Sequence, residues 1–597
     1  MIDQKSIAVL PFDNLSAEPD NEYFSDGMTE EIINALSKIN GLKVTARTSS
    51  FAFKGLKEDV RIIGNKLGVS TIIEGSIRKS GSRMRISVQL IRTDSGFQIW
   101  SESFDRTLQD IFDLQDEISL LVADRIRENF GHIEISEHLV NRGTSSEKAY
   151  ELLLKGSFHL KRKDLEDIKL ALSLFQEAVD LDPSYAEAYA YLAETYLHYT
   201  GFNLISQEEG FEASRQAATA ALDIDTKEPR AHKVMAYVHL FFDWEWDKAI
   251  KAYNKAIAGG LSNENEFITY YYIFIQKDYE LAIAVAKDNL SKDPLHVISQ
   301  WQLGLCYYFA GKFEKALDAF EESLHIDPQF SEALRWKGLV LGYLGRYEEG
   351  LAVIDASLKI TNGEGLAKLD RLRVQALMGE KEKVITALEN ESYIDPCDPA
   401  TLYSALSIPD KAVEYLKQGL AEKSGMMVSL KHWWAWDNIR DDEGFKEVYR
   451  QMKFDTQKYH KEHPQSQQLI TSHSAFSQLT DEEADQYLQK LNDTMLIEST
   501  VTDNQITLRS LAEMIDLHPN KLSWLLNMKL GKNFNDYVNT HRLAIFQHKA
   551  ADPANAHITL LGLAYESGFT SKSVFNEFFK KSTGLTPKAW MKANIES

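Results

Sequence analysis

A period of 34 residues runs through the middle of the chain, from about residue 277 to 380. An aromatic residue recurs at that distance at Tyr279, Phe313 and Tyr347, and an amphipathic helical pattern follows each one. A unit of this size cannot bury its apolar face alone, so each copy must stack on its neighbours. The period therefore predicts an elongated stack of helix pairs, an α-solenoid.

The repeated units resemble tetratricopeptide repeats, for which this spacing is diagnostic. Looser copies precede them, so the solenoid is predicted over residues 145–455. A curved surface of this kind can hold a protein or peptide partner, and the alternative is a spacer that only sets a distance. Trp433, Trp434 and Trp436 lie near the predicted end. We expect them to cap that terminus, with an aromatic binding site as the alternative.

Two helix-turn-helix patterns follow one another near the end of the chain, 52 residues apart when Ala512 is compared with Ala564. In each, apolar residues at helical spacing precede a turn, and a second helix follows. A helical pattern between the units predicts a connecting helix. In the last helix, the expected inward residues are Val574, Phe575, Phe578 and Phe579, and the expected outward ones are Ser573, Asn576, Glu577 and Lys580. In the first unit, Leu522 and Leu526 are expected inward, which leaves Asn520, Lys521, Ser523, Trp524 and Asn527 outward or sideways.

Residues 500–597 resemble the DNA-binding domain of the AraC/XylS family of bacterial transcription regulators. The family's second cassette reads Ala-x-x-x-Gly-Phe-x-Ser-x-x-x-Phe-x-x-x-Phe-Lys-x-x-x-Gly-x-Thr-Pro, and every fixed residue is present here. The resemblance implies two units on a linker helix that read adjacent major-groove segments of double-stranded DNA. It nominates as DNA contacts Asn520, Lys521, Ser523, Trp524, Ser571, Lys572, Ser573, Asn576 and Lys580. Two residues depart from the family: Asp516 replaces a helix-ending glycine, and Glu577 stands where a basic residue is common.

Strand and helix patterns alternate at the start of the chain and predict a small α/β domain with a mixed sheet. It resembles the TolB amino-terminal-like domain in four segments: Ala8-Val-Leu-Pro-Phe, Tyr23-Phe-Ser-Asp-Gly, Ala46-Arg-Thr-Ser-Ser-Phe and Glu74-Gly-Ser-Ile-Arg. That resemblance implies no established chemistry. Arg47, Ser49, Ser50 and Lys54 could bind an anion, and a solvated loop is the preferred interpretation.

The net charge of −22 is unevenly distributed over the 597 residues. Residues 500–597 hold 11 lysines and arginines against 8 aspartates and glutamates, so the preceding part carries all the acidity. We therefore predict a multidomain, mainly α chain with a separate DNA-binding end. The predicted parts are an α/β domain, the solenoid, a linker and the double helix-turn-helix, over residues 1–132, 145–455, 456–480 and 481–597.

Sequence signatures of catalysis are absent: there is no Walker A loop, no Gly-x-Gly-x-x-Gly, no His-Glu-x-x-His and no Gly-x-Ser-x-Gly. His460, His463 and His473 lie in the polar linker without a partner cysteine, so no metal site is predicted there. Two isolated cysteines fit a reducing compartment. We expect no enzyme, no cofactor and no membrane span, and we expect the protein in the bacterial cytoplasm.

These patterns together predict a sequence-specific DNA-binding transcription regulator. In this interpretation the α/β domain and the solenoid are sensing or protein-interaction modules, and a homodimer is one option. The alternative is a protein-interaction scaffold that uses the helical tail for docking. A third idea is a nucleotide sensor based on the N-terminal domain.

Overall fold

The computed structural model describes residues 3–16, 21–81, 83–107, 111–140, 143–162, 165–201, 204–261, 266–293, 295–361, 366–391, 393–454, 479–555 and 557–594. Most of the predicted linker, with its three histidines, lies outside these residues. The chain is mainly α-helical with one small sheet region, which confirms the predicted fold class. Within the described ranges, no helix is both long and apolar enough to cross a bilayer.

The N-terminal domain is built on a mixed sheet. Its strands are β1 (Ser6–Val9), β2 (Asp13–Asn14), β3 (Lys43–Val44), β4 (Thr71–Ser80), β5 (Arg83–Arg92) and β6 (Gln98–Thr107). The order is β3-β1-β4-β5-β6, and β2 pairs with β4. The pairs among β1 to β4 are parallel, whereas β4, β5 and β6 form an antiparallel meander. The β4–β5 and β5–β6 hairpins account for this mixture.

Helices cover both faces of this sheet. They are α1 (Glu22–Ser37), α2 (Arg47–Phe51), α3 (Val60–Leu67) and α4 (Ile111–Phe130). Apolar residues of α1 and α4 share one core with β1, β4 and β5, and α3 packs on the opposite face. Tyr150 and Leu154 of the first solenoid helix belong to the α1–α4 core. The N-terminal domain is therefore packed directly on the solenoid.

The solenoid consists of antiparallel helices. Its α-helices are Glu147–Arg162, Leu165–Leu181, Ala186–Gly201, Gln207–Ile224, Pro229–Tyr237, Trp246–Ala258, Glu266–Tyr270, Tyr279–Lys292, Val297–Phe309, Phe313–Ile326, Ser331–Tyr343, Tyr347–Ile360, Ala367–Leu377, Lys381–Asn390, Cys397–Ala405, Pro409–Ala421 and Glu443–Gln451. Two π-helices, Val238–Phe242 and Tyr271–Gln276, and two 3₁₀ segments, Gly425–Leu430 and Trp434–Trp436, complete it. Gly311, Gly345 and Gly379 follow one another at the 34-residue spacing of the repeats. Glycine recurs there because each of these residues takes a left-handed backbone angle in the turn after its helix.

The end of the solenoid folds back over its middle. The ring centroid of Trp434 lies 5.4 Å from that of Tyr308 and 5.0 Å from that of Tyr343. The Nζ of Lys431 donates to the carbonyl oxygen of Ile275 at 3.2 Å. The expectation that the three tryptophans cap an exposed terminus is therefore wrong, because they fill the interior against earlier repeats. A partly open cavity lies between the returning segment and the earlier helices.

The C-terminal domain is entirely helical. Its helices are Asp481–Met495, Glu498–Thr502, Leu508–Met514, Pro519–Leu530, Phe534–Ala551, Leu560–Glu566, Lys572–Thr583 and Pro587–Asn594, with a 3₁₀ turn at Pro553–Asn555. The first unit pairs Leu508–Met514 with Pro519–Leu530, and the second pairs Leu560–Glu566 with Lys572–Thr583. Each unit has its own core. Phe534–Ala551 contributes to both cores and is the predicted connecting helix.

Candidate DNA-binding surface

The Lys572–Thr583 helix presents a polar face to solvent. Ser571 caps it by accepting a hydrogen bond from the backbone N–H of Val574 at 3.2 Å. Phe575, Phe578 and Phe579 are buried, with the Phe575 ring 4.8 Å from that of Phe546 on the connecting helix. The predicted contacts on the outward face are exposed: Lys572, Ser573, Asn576 and Lys580. The second unit thus displays together the groups that the sequence nominated.

Val574 does not belong to the buried face. It is 41% exposed, although the spacing predicted it to point inward. It lies about 100° around the helix from Phe575, which turns it away from the connecting helix. Lys581, which was not among the predicted contacts, is also exposed, and its Nζ lies 2.9 Å from the Asp536 carboxylate. The polar face is therefore interrupted by one apolar side chain.

The first unit is placed differently. Asn520 and Ser523 are each only 1% exposed, so the expectation that they face outward is wrong. The Oδ1 of Asn520 accepts from Arg127 Nη1 at 2.5 Å, and its Nδ2 donates to the carbonyl oxygen of Ile135 at 3.0 Å. Both partners belong to the N-terminal domain or to the segment after α4. Lys521 and Trp524 stay partly exposed.

Further polar contacts join α4 to the first unit. The backbone N–H of Leu508 donates to Glu128 Oε1 at 2.8 Å, and Arg509 Nη2 donates to Asp124 Oδ2 at 3.1 Å. Asn129 accepts at its side-chain oxygen from Nδ2 of Asn535 at 3.0 Å. These residues stand almost 400 positions apart in the chain. The end of α4 therefore forms a continuous polar interface with the first unit.

Charge is buried in this interface. The Arg127 side chain is 2% exposed and also donates to the Asp124 carboxylate. Burial lowers the pKa of Arg127, and burial raises the pKa of Glu128. Both directions reflect the loss of water around a charged group, which is costly unless partners replace that water. The two domains supply those partners to each other.

The interface residues on α4 were missed by sequence reasoning. Asp124, Arg127 and Glu128 occupy the last turns of a helix that was expected only as the end of a small domain. Three charged residues at a helix end normally indicate solvent. Neither their spacing nor their composition marks a distant partner, so the sequence offered no signal for this contact.

Arg47, Ser49, Ser50 and Lys54 do not form a solvated loop. Residues Arg47–Phe51 form α2, and Ser49 and Ser50 are fully buried. The hydroxyl of Ser49 donates to Asp293 and accepts from the backbone N–H of Leu295 at the solenoid. The cations are neutralised, since Arg47 pairs with Glu30 at 3.2 Å and Lys54 with Asp26 at 2.6 Å. This segment docks the domain on the solenoid.

One cluster in the described ranges has a composition that suits a metal. Ligand atoms of His239, Asp243 and Glu245 lie within 4.8 Å of one another. Both oxygens of Asp243 accept from Arg215, at 2.7 and 2.9 Å, and Glu245 pairs with Lys248 at 2.8 Å. Because the carboxylates are already paired with cations, the geometry describes an ion-pair network, and we assign no metal to it.

The turns of the two units differ in the residue but not in the backbone. Gly568 has φ of +95°, and Asp516, 52 residues earlier, has φ of +53°. Aspartate is one of the few other residues that tolerate this conformation, so the departure from the family pattern leaves the turn intact. At Gly568 a side chain is excluded as well, because a Cβ would lie 2.9 Å from Thr502 Cα and from the carbonyl oxygen of Val501.

Three protein-family models match parts of this chain. A helix-turn-helix domain matches residues 511–593, and the second domain of HilA/YgeH-like transcriptional regulators matches residues 3–121. A tetratricopeptide repeat matches residues 302–330. The matches confirm the predicted C-terminal domain, the repeats and the predicted class, a transcription regulator. The resemblance to the TolB amino-terminal-like domain stays a prediction.

Among curated proteins, "Putative adenylate cyclase 3" of Rhizobium meliloti (strain 1021) is 39% identical over 236 residues. The match covers 39% of this chain and 39% of that protein. Among solved structures, PilF of Pseudomonas aeruginosa is 21% identical, with a TM-score of 0.26, over 40% of this chain and 92% of PilF. A tetratricopeptide repeat protein from Parabacteroides merdae is 13% identical, with a TM-score of 0.24, over 52% of this chain and 100% of that one.

Two glycine substitutions test the packing of the second unit. Both Gly568→Ala and Gly584→Ala place a methyl group on left-handed backbone, which costs about 1–2 kcal/mol. Only Gly568→Ala also forces a Cβ against backbone atoms, and overpacking adds about 1–3 kcal/mol. We expect Gly568→Ala to lower the unfolding midpoint of the C-terminal domain clearly more than Gly584→Ala, as measured by denaturant titration. Equal shifts would contradict the close approach of the turn to Val501 and Thr502.

Proposed function

We propose that this chain is a sequence-specific DNA-binding transcription regulator whose N-terminal domain restrains DNA binding by holding the first helix-turn-helix unit. The observation that carries the proposal is the burial of Asn520 against Arg127 and Ile135. Asn520 is the second residue of its helix. In helix-turn-helix proteins, the first residues of the second helix approach the base edges.

The two units differ in how accessible their second helices are to DNA. The polar face of Lys572–Thr583 is exposed, and its only ion-pair contact with the N-terminal domain among the described residues is Glu577 Oε1, 3.9 Å from Arg92 Nη1. The corresponding helix of the first unit, Pro519–Leu530, is covered by α4 at its N-terminal end. In this arrangement one unit can enter a major groove and the other cannot. Because binding through one unit is weaker than through two, full affinity requires the first unit to leave α4.

The strength of the interface sets the expected scale of control. A hydrogen bond to a charged group contributes about 1.5–3 kcal/mol, and each 1.4 kcal/mol changes an equilibrium about tenfold. The apparent dissociation constant for DNA rises by the inverse of the fraction of open molecules. A few such contacts therefore suffice to hold most molecules in the restrained state, and a partner that binds the open state would release them.

Double-stranded DNA is one partner in this proposal. The signal comes from a protein or peptide on the solenoid, or from a second copy of the chain in a homodimer. The proposed place of action is the bacterial cytoplasm, where DNA is accessible. Support comes from the two terminal family matches and from the direct packing of the N-terminal domain on both other parts.

Loss of a recognition side chain tests the second unit. DNA fragments are first selected from a random pool by the full-length protein. We expect Asn576→Ala to weaken binding to the selected site about tenfold and to relax the preference at one base pair. Lys580→Ala should weaken binding to all sequences and reduce the salt dependence by about one counterion. Lys411→Ala, an exposed lysine on the solenoid, is the control. No sequence preference in the wild type, with no effect of either variant, would favour the scaffold alternative.

Loss of an interface acceptor tests the restraint. Glu128→Ala removes the partner of the Leu508 N–H, so we expect DNA to bind about tenfold more tightly in a fluorescence anisotropy titration. Glu117→Ala on the same helix removes the same charge from a half-exposed position, where Glu117 pairs with Arg106 away from the interface. It should leave the affinity unchanged, which separates release from a general loss of negative charge. If the two variants bind DNA equally, the restraint does not exist.

We also propose that the chain catalyses no reaction. The name of the Rhizobium relative makes cyclase activity the sharpest test. Purified protein incubated with ATP and either Mg²⁺ or Mn²⁺ should form no cyclic AMP above the buffer control. An activity that copurifies with the chain and disappears on heat denaturation would contradict this part of the proposal.

A further inference from the structure

A cavity of about 470 Å³ lies inside the solenoid. It is partly open to solvent and lies between the early helices Ala186–Gly201 and Pro229–Tyr237, the later helices Ser331–Tyr343 and Cys397–Ala405, and the returning segment that carries Trp433. Its volume falls within the range of small-molecule sites. The DNA-binding proposal does not use this space.

The walls of the cavity are partly aromatic. Tyr237, Phe241, Trp336 and Trp433 line it, and the Tyr237 and Phe241 rings stack with centroids 6.0 Å apart. Aromatic faces attract cations as well as apolar groups. Trp433 is only 4% exposed, and its indole N–H has no hydrogen-bond partner among the described residues. Such a buried donor lacks an acceptor that a ligand can provide.

Carboxylates outnumber cations in the lining, and most are paired internally. Glu194 accepts from Lys233 at 2.6 Å, and Asp370 pairs with Arg335 and Arg373. Asp395 accepts from the Ser424 hydroxyl at 2.7 Å, and Glu266 accepts from the Tyr270 hydroxyl at 3.1 Å. The cationic side chains of the lining, Lys233, Arg335 and Arg373, are therefore already paired with carboxylates.

Asp398 is the exception among these acids. It lines the cavity, and among the described residues its carboxylate accepts no hydrogen bond and forms no close ion pair, although Arg373 and Arg335 lie near enough to act on its pKa. An unpaired carboxylate beside aromatic faces favours a positively charged ligand and disfavours an anion. The unpartnered indole N–H adds a donor for a neutral oxygen of the same ligand.

We propose that this cavity binds a small organic cation, in which a protonated amine faces Asp398, an apolar or aromatic group packs on the cavity's aromatic wall, and a carbonyl oxygen accepts from Trp433. Amino acid amides have this chemistry, and so does the amino terminus of a peptide. The ammonium group replaces the missing partner of Asp398. The inference stands independently of DNA binding, because the binding of the amine is measured directly.

The pH dependence of binding follows from the surroundings of Asp398. Burial, and next the neighbouring Asp395, raise the pKa of Asp398 to about 7, with Asp370 acting in the same direction. Arg373 and Arg335 oppose this shift. The cation needs the ionised carboxylate, so its affinity should fall as the pH falls. The dependence is measured with phenylethylamine, because its alkylamine stays protonated over this range whereas an α-amino group does not. With a carboxyl pKa near 7, the fall in its affinity from pH 8 to pH 6 is about tenfold.

The test is calorimetric titration of the full chain with matched probes. Phenylalanine amide and leucine amide are cations, N-acetylphenylalanine amide is neutral, and N-acetylphenylalanine is an anion. We expect the cations to bind at least about tenfold more tightly than the acetylated compounds. Phenylethylamine and the peptide Phe-Gly-Gly amide then distinguish a free amine from a peptide terminus as the source. If no cation binds more tightly than the acetylated compounds up to 10 mM, the proposal is overturned.

A pair of variants locates the site. Asp398→Asn keeps the shape of the side chain and removes a buried negative charge, so the fold should survive, which circular dichroism checks. It should lower the affinity for phenylalanine amide about tenfold and abolish the dependence of phenylethylamine binding on pH between 6 and 8. Asp410→Asn changes an exposed residue of the Pro409–Ala421 helix and should change neither. Unaltered binding and an unaltered pH profile in Asp398→Asn would refute the assignment.

Discussion

A buried guanidinium joins the N-terminal domain to the first helix-turn-helix unit. Arg127 lies at the end of α4 with 2% of its side chain exposed, where an unpaired charge would cost several kcal/mol. Asp124 supplies the opposite charge from the same helix, and Asn520 supplies a neutral acceptor from the first helix-turn-helix unit. Docking therefore gives Nη1 of Arg127 an acceptor, while Nε has no hydrogen-bond partner among the described residues, and separation must expose the guanidinium to water. In the proposed restraint, the access of the first unit to DNA depends on this balance.

The N-terminal domain occupies the central place among the three parts. On one side, Tyr150 and Leu154 extend its core into the solenoid, and Ser49 binds the solenoid at Asp293. On the other side, α4 contacts the first unit through Glu128 and Asn129. In the proposed regulation, a signal received by the solenoid reaches the DNA-binding domain through this one packed domain.

Local patterns predicted the elements well. The 34-residue aromatic period predicted the helix pairs of the solenoid, and Phe575, Phe578 and Phe579, which were expected to point inward, belong to the second core. The orientation of Asn520 and the return of Trp434 into the solenoid could not be predicted. In both cases the partner lies more than 90 residues away, and helical spacing carries no information on such contacts. The prediction that Val574 points inward was wrong for a local reason, because the predicted apolar face of its helix was one residue too wide.

In the proposed restraint, tight DNA binding requires the first unit to leave α4. Hydrogen exchange measured by mass spectrometry tests it in the full chain, with and without a saturating amount of a DNA fragment selected from a random pool. We predict that DNA protects the Lys572–Thr583 helix from exchange. At the same time, exchange should become faster at the end of α4 and in the segment up to Ile135, because the first unit no longer covers them. Protection of the DNA-binding helices with unchanged exchange in residues 124–135 would contradict it.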